Sequence, residues 1–172
     1  MRVSLIALCA GLLLLAGCAT HTRHTQDVAL NADATWLVLP LVNRTTTPQA
    51  GLAAQAIVEA VLAEHGVADA RTYQADDDQG VLFEAASQAS RDAMRQWSAR
   101  QGGDYVVSGV VHEWRYKTGV DGEPAVGVMI EIRDAAGKLI YSGTGARAGW
   151  ARQSLSETGQ RVIDDLLAPV VD

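Results

Sequence analysis

The apolar positions along this chain change their spacing several times, and each spacing predicts a different element. Residues 36–42 are almost continuously apolar, which is typical of a strand covered on both faces. Pro40 lies within this run and indicates an edge position or a bulge. Over residues 49–65 the apolar side chains recur every three or four positions, which predicts a helix capped by Gly66.

The second half of the chain changes to strand-like alternation. A short strand over residues 67–73 and a helix over residues 83–101 precede this change. Apolar residues then alternate with other residues, as they do in half-buried strands. The three strands predicted in this way are residues 104–117, 124–133 and 138–148, the last two joined by a tight turn.

The last predicted element is a helix. Ser154 and Glu157 have the spacing of a capping box, and the apolar residues that follow keep helical spacing as far as Pro169. The predicted order is therefore β-α-β-α-β-β-β-α. This order indicates an α/β (α+β) sandwich with a mixed, mostly antiparallel sheet flanked by helices. No repeat or linker divides it, so we expect a single domain over residues 34–172.

The first eighteen residues have the pattern of a bacterial lipoprotein signal. Arg2 is followed by an apolar run over residues 5–15, then by small residues and Cys18. A membrane-spanning helix needs about 20 apolar residues, and this run is shorter. We therefore expect a signal peptide over residues 1–17, a lipidated, palmitate-bearing Cys18, and a short tether through residue 33. Ala19 stands where an aspartate often retains such proteins in the inner membrane, which favours the periplasmic side of the outer membrane.

Charge and cysteine content narrow the expected chemistry. Removing residues 1–17 takes away Arg2 and no acid, so the formal net charge of −6 becomes −7. An acidic balance argues against nucleic acid or anionic lipid headgroups as the main partner; it fits a cationic ligand, or simply solubility. Cys18 is the one cysteine of the mature chain. We expect no disulfide within the chain, no cysteine metal site and no thiol nucleophile.

The titratable residues do not form a recognisable catalytic or metal-binding motif. Asp76, Asp77 and Asp78 are consecutive, whereas a calcium loop alternates its ligands and ends in a distant glutamate. The four histidines lack the paired spacing of a zinc site. Glu113 and Asp121 are candidate acid and base groups for glycan hydrolysis, but the sequence gives no sign that they converge. We therefore expect no enzyme activity, metal or cofactor.

Two turns contain the strongest candidates for binding. Trp150 and Arg152 follow the last predicted strand, where a tryptophan and a basic side chain suit a membrane–water boundary. Trp150 suits the edge of the core equally well. Asp121 and Glu123 occupy the predicted turn before the strand at residue 124. They are interpreted either as a solvated hairpin tip or as an acidic lip for a cationic ligand.

Five sequence blocks together resemble the PelC family, the outer-membrane lipoproteins of Pel exopolysaccharide export. The blocks are Gly-Asp-Tyr-Val-Val-Ser-Gly at 103–109, Glu-Trp-Arg-Tyr-Lys at 113–117, Asp-Gly-Glu-Pro-Ala-Val-Gly at 121–127, Ser-Gly-Thr-Gly-Ala-Arg at 142–147, and Gly-Trp at 149–150. The resemblance covers the signal and residues 100–165. The first half of the domain contains no sequence block that is specific to the family.

The resemblance implies a structural role in biofilm exopolysaccharide export. Members are homo-oligomeric rings, known as dodecamers, at the inner leaflet of the outer membrane. Such a ring forms an acidic funnel that guides a cationic polysaccharide to a PelB-like porin. Trp150 matches the family's membrane-facing tryptophan, and Arg100 lies near its interfacial arginine. We expect Asp121 and Glu123 to line the funnel.

An alternative from another class is a regulatory lipoprotein that binds and activates a periplasmic enzyme, such as a peptidoglycan synthase. The same type of fold serves that role, but such proteins usually carry a long disordered tether. Here the expected tether is short, which limits its reach across the periplasm.

Overall fold

Strands and helices account for most of the chain that the computed structural model describes, which is residues 21–24, 28–74, 87–118, 122–150 and 152–171. In chain order the elements are β1 (His21–His24), β2 (Thr35–Val38), β3 (Val42–Asn43), α1 (Ala50–Glu64), β4 (Asp69–Thr72), α2 (Gln88–Gln101), β5 (Tyr105–Tyr116), β6 (Pro124–Asp134), β7 (Leu139–Ala148) and α3 (Leu155–Leu167). The predicted signal peptide, Cys18, Asp121 and the aspartates at 76–78 lie outside the described residues.

The seven strands form one mixed sheet in the order β1-β7-β6-β5-β2-β4, with β3 paired to β5 beyond the end of β2. β5, β6 and β7 are the long strands, and they pair antiparallel with one another. β2 is parallel to both β4 and β5. The predicted fold class, a mixed and mostly antiparallel sheet with flanking helices, is confirmed.

The strand predicted over residues 36–42 is split in two. β2 ends at Val38, and β3 begins at Val42. Pro40 lies in the gap and has no N–H to donate to a neighbouring strand. Both parts still run parallel to β5, since Val38 pairs with Val107 and Val42 with Val110. The proline therefore interrupts the strand without changing its direction.

Helices α1 and α3 cover one face of the sheet and enclose the main core. The strand residues on this face alternate along β5 and β6, as the sequence predicted. They are Val107, Val111, Val126, Val128, Ile130 and Ile132, all fully buried. The buried Tyr141 of β7 donates its hydroxyl to the Leu166 carbonyl of α3 over 2.7 Å. Burial raises the pKa of Tyr141 to about 12, so this hydrogen-bond donor keeps its proton at physiological pH.

Helix α2 lies on the opposite face and covers only part of it. Leu37 of β2 and Met94 of α2 are buried there. The rings of Tyr73 and Trp97 meet edge to face, with centroids 5.5 Å apart. The helix begins after the N-cap Ser87, whose side chain accepts from the N–H of Ser90. The earlier start predicted at residue 83 lies outside the described residues.

The chain start differs from the tether predicted over residues 18–33. β1 pairs antiparallel with β7 and extends the sheet. Leu30 is buried in the main core, and its N–H donates to the Val170 carbonyl over 2.7 Å. The folded domain therefore begins before residue 34. Residues 21–24 have no alternation of apolar and polar side chains, so no strand pattern identifies β1 in the sequence.

Candidate functional site

The connection from β7 to α3 projects Trp150 away from the core. Its side chain is 61% exposed, more than Tyr116 or Leu139, the other exposed large hydrophobic residues in the described ranges. Of the two interpretations left open by the sequence, this exposure favours a contact residue over a tryptophan that covers the core edge. An exposed indole is available to a partner or to an interface.

Gln153 holds the turn that carries Trp150. The backbone N–H of Trp150 donates to Oε1 of Gln153 over 2.7 Å, and the N–H of Gln153 donates to the Trp150 carbonyl over 3.1 Å. The Gln153 amide also donates from Nε2 to Oε1 of Glu157 over 3.0 Å. One side chain thus joins the turn to the first turn of α3. The sequence alone offered no signal for this role.

The turn is also attached to the sheet. The N–H of Gly149 donates to the Pro124 carbonyl over 2.8 Å, at the start of β6. A Cβ at Gly149 would lie 2.7 Å from Oε1 of Gln153 and 2.7 Å from Cγ of Pro124, so glycine allows this close approach. On the helix side, Ser154 accepts from the N–H of Glu157, as the predicted capping box requires, whereas the Glu157 carboxylate accepts from Gln153 and Arg161. The exposed Trp150 therefore stands on a supported backbone.

Arg152 occupies the same turn and is exposed. Its φ is 80°, in the left-handed region that few residues other than glycine adopt. This backbone conformation lets the chain reverse between Trp150 and Gln153. Trp150 and Arg152, predicted as neighbours at a membrane surface, are therefore presented together by one tight turn.

The hairpin between β5 and β6 lies at the same end of the sheet. Glu123 forms an exposed ion pair with Lys117, with 3.8 Å between Oε2 and Nζ, and its carbonyl accepts the Lys117 N–H over 2.7 Å. Tyr116, which is 50% exposed, pairs in register with Pro124. We call this the Trp150 end: the side of the domain where β5 and β7 finish and where β6 and α3 begin.

Three aspartates lie at the opposite end of the sheet, which we name the acidic end after them. Asp69 begins β4, Asp104 precedes β5, and Asp134 ends β6. Hydrogen bonds from Arg71 and Thr35 hold the pKa of Asp69 below its usual value. The N–H of Thr35 donates to Oδ2 of Asp104 over 2.9 Å. These aspartates lie at the ends of strands, and no sequence motif identified them as candidate site residues.

Arg100 lies in the last turn of α2, just before the chain enters β5 at the acidic end. It is exposed and forms no ion pair with any side chain that the structure describes. Arg100 and Trp150 are therefore not brought together; they belong to opposite ends of the domain.

A groove of about 1010 Å³ separates α2 from the uncovered part of the sheet. Its floor is apolar, with Leu37, Val106 and Met129, while Arg91 and Arg95 stand on the helix side. Glu131 and Arg133 form an ion pair on the sheet side, with 3.2 Å between their nearest charged atoms. The groove leaves part of this face open to a partner.

The structure describes several of the side chains considered for catalysis or metal binding. Glu113 is paired with Arg115 at 3.0 Å, and its proposed partner Asp121 lies outside the described residues. Within those residues no three histidine, cysteine or acidic side chains are placed to hold a metal ion. His65 pairs with Asp164 over 2.7 Å, and His112 is exposed beside a bulge in β5. No helix in the described part combines the length and apolar character needed to cross a bilayer.

Comparison with solved structures finds two chains that are similar in sequence and fold, and a third that is similar in fold alone. The chain is similar to the PelC dodecamer from Paraburkholderia phytofirmans, with 37% identity over 88% of this chain and 96% of that one, and a TM-score of 0.74. A point variant of the PelC dodecamer from the same organism has 37% identity over 88% and 98%, and a TM-score of 0.75. A DUF330 protein from Xanthomonas campestris, 10% identical over 83% and 86% with a TM-score of 0.51, shares the fold alone. No protein-family profile and no curated protein sequence matches the chain.

Proposed function

The chain belongs to the PelC family, and from this premise we propose that it is a lipid-anchored ring protein of Pel-type exopolysaccharide export. In this function, Cys18 carries the lipid and the domain stands at the inner leaflet of the outer membrane, facing the periplasm. The ring guides a cationic polysaccharide to a PelB-like porin, without covalent chemistry. The observation that carries the proposal is 37% identity to a dodecameric PelC over 88% of the chain.

Arg100 is the proposed protomer contact. Its guanidinium is exposed on α2 and unpaired within the described side chains, so a carboxylate of a neighbouring copy can bind it without breaking an intrachain ion pair. We expect Arg100→Glu to reduce ring formation by the lipidated protein in vesicles, as seen by electron microscopy. Arg44→Glu, the same charge change at another exposed arginine that forms no ion pair with a described side chain, is the control. Equal loss in both variants would exclude a specific role for Arg100, and a strictly monomeric parent protein would contradict the ring.

The acidic balance supports a cationic cargo. A mature net charge of −7, repeated around a ring, concentrates positively charged polymer by its field. Asp121 and Glu123 are the proposed guiding residues. Lys117 offsets part of the Glu123 charge.

Neutralising the hairpin tests the guiding role. We expect Asp121→Asn with Glu123→Gln to lower polymer export while leaving the thermal midpoint unchanged. Asp33→Asn with Asp134→Asn makes the same charge change at the acidic end and serves as the control. Export that falls equally in both pairs would assign the effect to overall charge rather than to the hairpin.

The anchor is tested separately. We expect Cys18→Ser to abolish acylation, release the protein from the outer membrane and stop export, because thioether-linked lipid is what holds the domain there. Normal export from this variant would contradict the anchoring role. Fractionation and radiolabelled palmitate measure the two steps independently.

A further inference from the structure

The path of the first described residues links the chain start to the Trp150 end. β1 runs antiparallel to β7, so that His24 pairs with Gly143 and His21 with Ala146. β7 ends at Ala148, two residues beyond this last pair. A strand advances about 3.4 Å per residue, so the N-terminal end of β1 lies about 7 Å from the end of β7.

Without β1, the N-terminal segment would leave the folded domain at the acidic end, opposite Trp150. Leu30 is bonded to Val170, beyond the C-terminal end of α3, whereas the Trp150 turn precedes the N-terminal end of that helix. A 13-residue helix is about 20 Å long. The indole of Trp36 also donates to the Asn31 carbonyl, at the start of β2 near the acidic end. Residues 28–31 are thus fixed about one helix length away from Trp150.

We propose that β1 is a clasp that carries the chain start back along β7, so that the lipid on Cys18 and the side chain of Trp150 contact the same bilayer surface. The clasp rests on the proposed lipidation of Cys18. Its partner is a lipid surface. Pairing of β1 with β7 shortens the free chain between Cys18 and the folded domain and directs it towards the Trp150 end. β1 also covers the edge of β7, whose unpaired backbone groups would otherwise be open to another strand.

Chain lengths show how much the clasp changes the reach of the anchor. Cys18 is three residues from His21, a span of at most about 10 Å. From Leu30, the next fixed residue, Cys18 is twelve residues away, or up to about 40 Å. A shorter tether raises the effective concentration of the second contact, which falls with at least the −3/2 power of tether length. Trp150 therefore meets the bilayer more often when β1 is paired.

Two insertions of equal length and composition test the clasp. Eight glycine and serine residues inserted between Thr20 and His21 lengthen the chain on the lipid side of β1. The same eight residues inserted between Asp27 and Val28 lengthen it on the domain side. If β1 is fastened to β7, only the first insertion extends the reach from the lipid to Trp150. If residues 18–29 are a free tether, the two insertions are equivalent.

The readout is quenching of tryptophan emission by brominated lipids in vesicles of phosphatidylethanolamine and phosphatidylglycerol. Subtracting the Trp150→Phe protein isolates the signal of Trp150. We expect the lipid-side insertion to lower the ratio of bilayer-bound to free Trp150 roughly 5- to 10-fold, from the tether-length dependence. The domain-side insertion should change it less than about 2-fold. Equal losses in the two proteins, or no loss in either, would overturn the clasp.

Amide hydrogen exchange separates failure of the clasp from failure of the lipid anchor. In the mature protein, β1 pairing should slow exchange of every second amide over residues 21–24, because alternate residues of an antiparallel edge strand bond to the neighbour. Exchange at the rate of an unstructured peptide throughout β1 would overturn the clasp even if Cys18 is acylated. Absence of palmitate on Cys18 with slow exchange in β1 would instead refute the anchor and leave the strand pairing intact.

Discussion

Trp114 and Trp150 contact, or lie next to, the same helix, α3, but they are placed in opposite ways. Trp114 is 4% exposed, and its indole lies over Gly159, where a Cβ would come within 2.5 Å of Cη2. Trp150 is 61% exposed and stands on a turn held by Gln153. Trp114 packs closely on α3 because Gly159 has no side chain. Trp150 is held away from the core by the hydrogen bonds between its turn and Gln153. The two tryptophans therefore differ in environment: one is packed into the core, and the other is open to solvent at the same end of the domain.

The largest expected effect is that of Trp114→Ala. Removing a buried tryptophan loses its apolar burial and leaves a cavity under α3, which costs about 3–5 kcal/mol in the free energy of unfolding. Urea denaturation followed by circular dichroism measures the change, with Trp150→Ala as the matched control. Equal destabilisation by the two substitutions would remove the distinction between the two tryptophans.

Gly159→Ala is expected to have the second-largest effect on the free energy of unfolding. Alanine favours a helix over glycine by about 1 kcal/mol, so helix propensity alone predicts stabilisation. The contact with Trp114 predicts the opposite sign, a loss of about 1–3 kcal/mol from overpacking. Gln160→Ala, at the neighbouring exposed position, is the control in the same denaturation experiment. A more stable Gly159→Ala protein would show that α3 is not packed closely on Trp114.

Gln153→Ala tests the support of the exposed tryptophan. The substitution removes the acceptor of the Trp150 N–H and the link to Glu157, and we expect a loss of about 1 kcal/mol. Amide exchange at Trp150 should accelerate, and quenching of its emission by brominated lipids should weaken. Unchanged exchange at Trp150 would mean that the turn is held without Gln153.

The smallest effect on stability is expected for Trp150→Ala. An exposed side chain makes few packing contacts, so the free energy of unfolding should change by no more than about 0.5 kcal/mol. Binding to vesicles should fall, because the indole is the proposed second contact with the bilayer. A loss of stability near that of Trp114→Ala would contradict the exposed position of Trp150.

Periodicity predicted the elements whose side chains face the main core. The alternation along β5 and β6, the helical spacing of α1 and α3, and the cap at Ser154 all follow from burial on one face or from a local hydrogen bond. Each of these signals is contained in a short stretch of sequence. The prediction of a mixed sheet with flanking helices is therefore confirmed, although the strand predicted over residues 36–42 is divided into β2 and β3.

The features that periodicity did not predict depend on contacts between residues that are distant in the sequence. β1 pairs through its backbone and has no apolar pattern, so its sequence resembled a tether. Pro40 was recognised as a break, but the continuation of β3 along β5 depends on the register of the sheet. The exposure of Trp150 depends on Gln153 and Pro124, neither of which has a distinctive spacing. A sequence pattern could propose Trp150 as a contact residue but could not choose between the core and the surface.

The β1–β7 ladder has a mechanical consequence for a domain fixed to a membrane. Under the proposed lipidation of Cys18, force applied to the lipid along the strand axis acts across the ladder in shear, so the bonds along β1 share the load. If they yield, the chain from His21 to Leu30 is freed, a segment that spans at most about 30 Å when fully extended. Leu30, buried and bonded to Val170, then takes the load while the core stays folded. Under the proposed anchoring, β1 is therefore the first element to yield to a pull on the chain start, and the core stays folded.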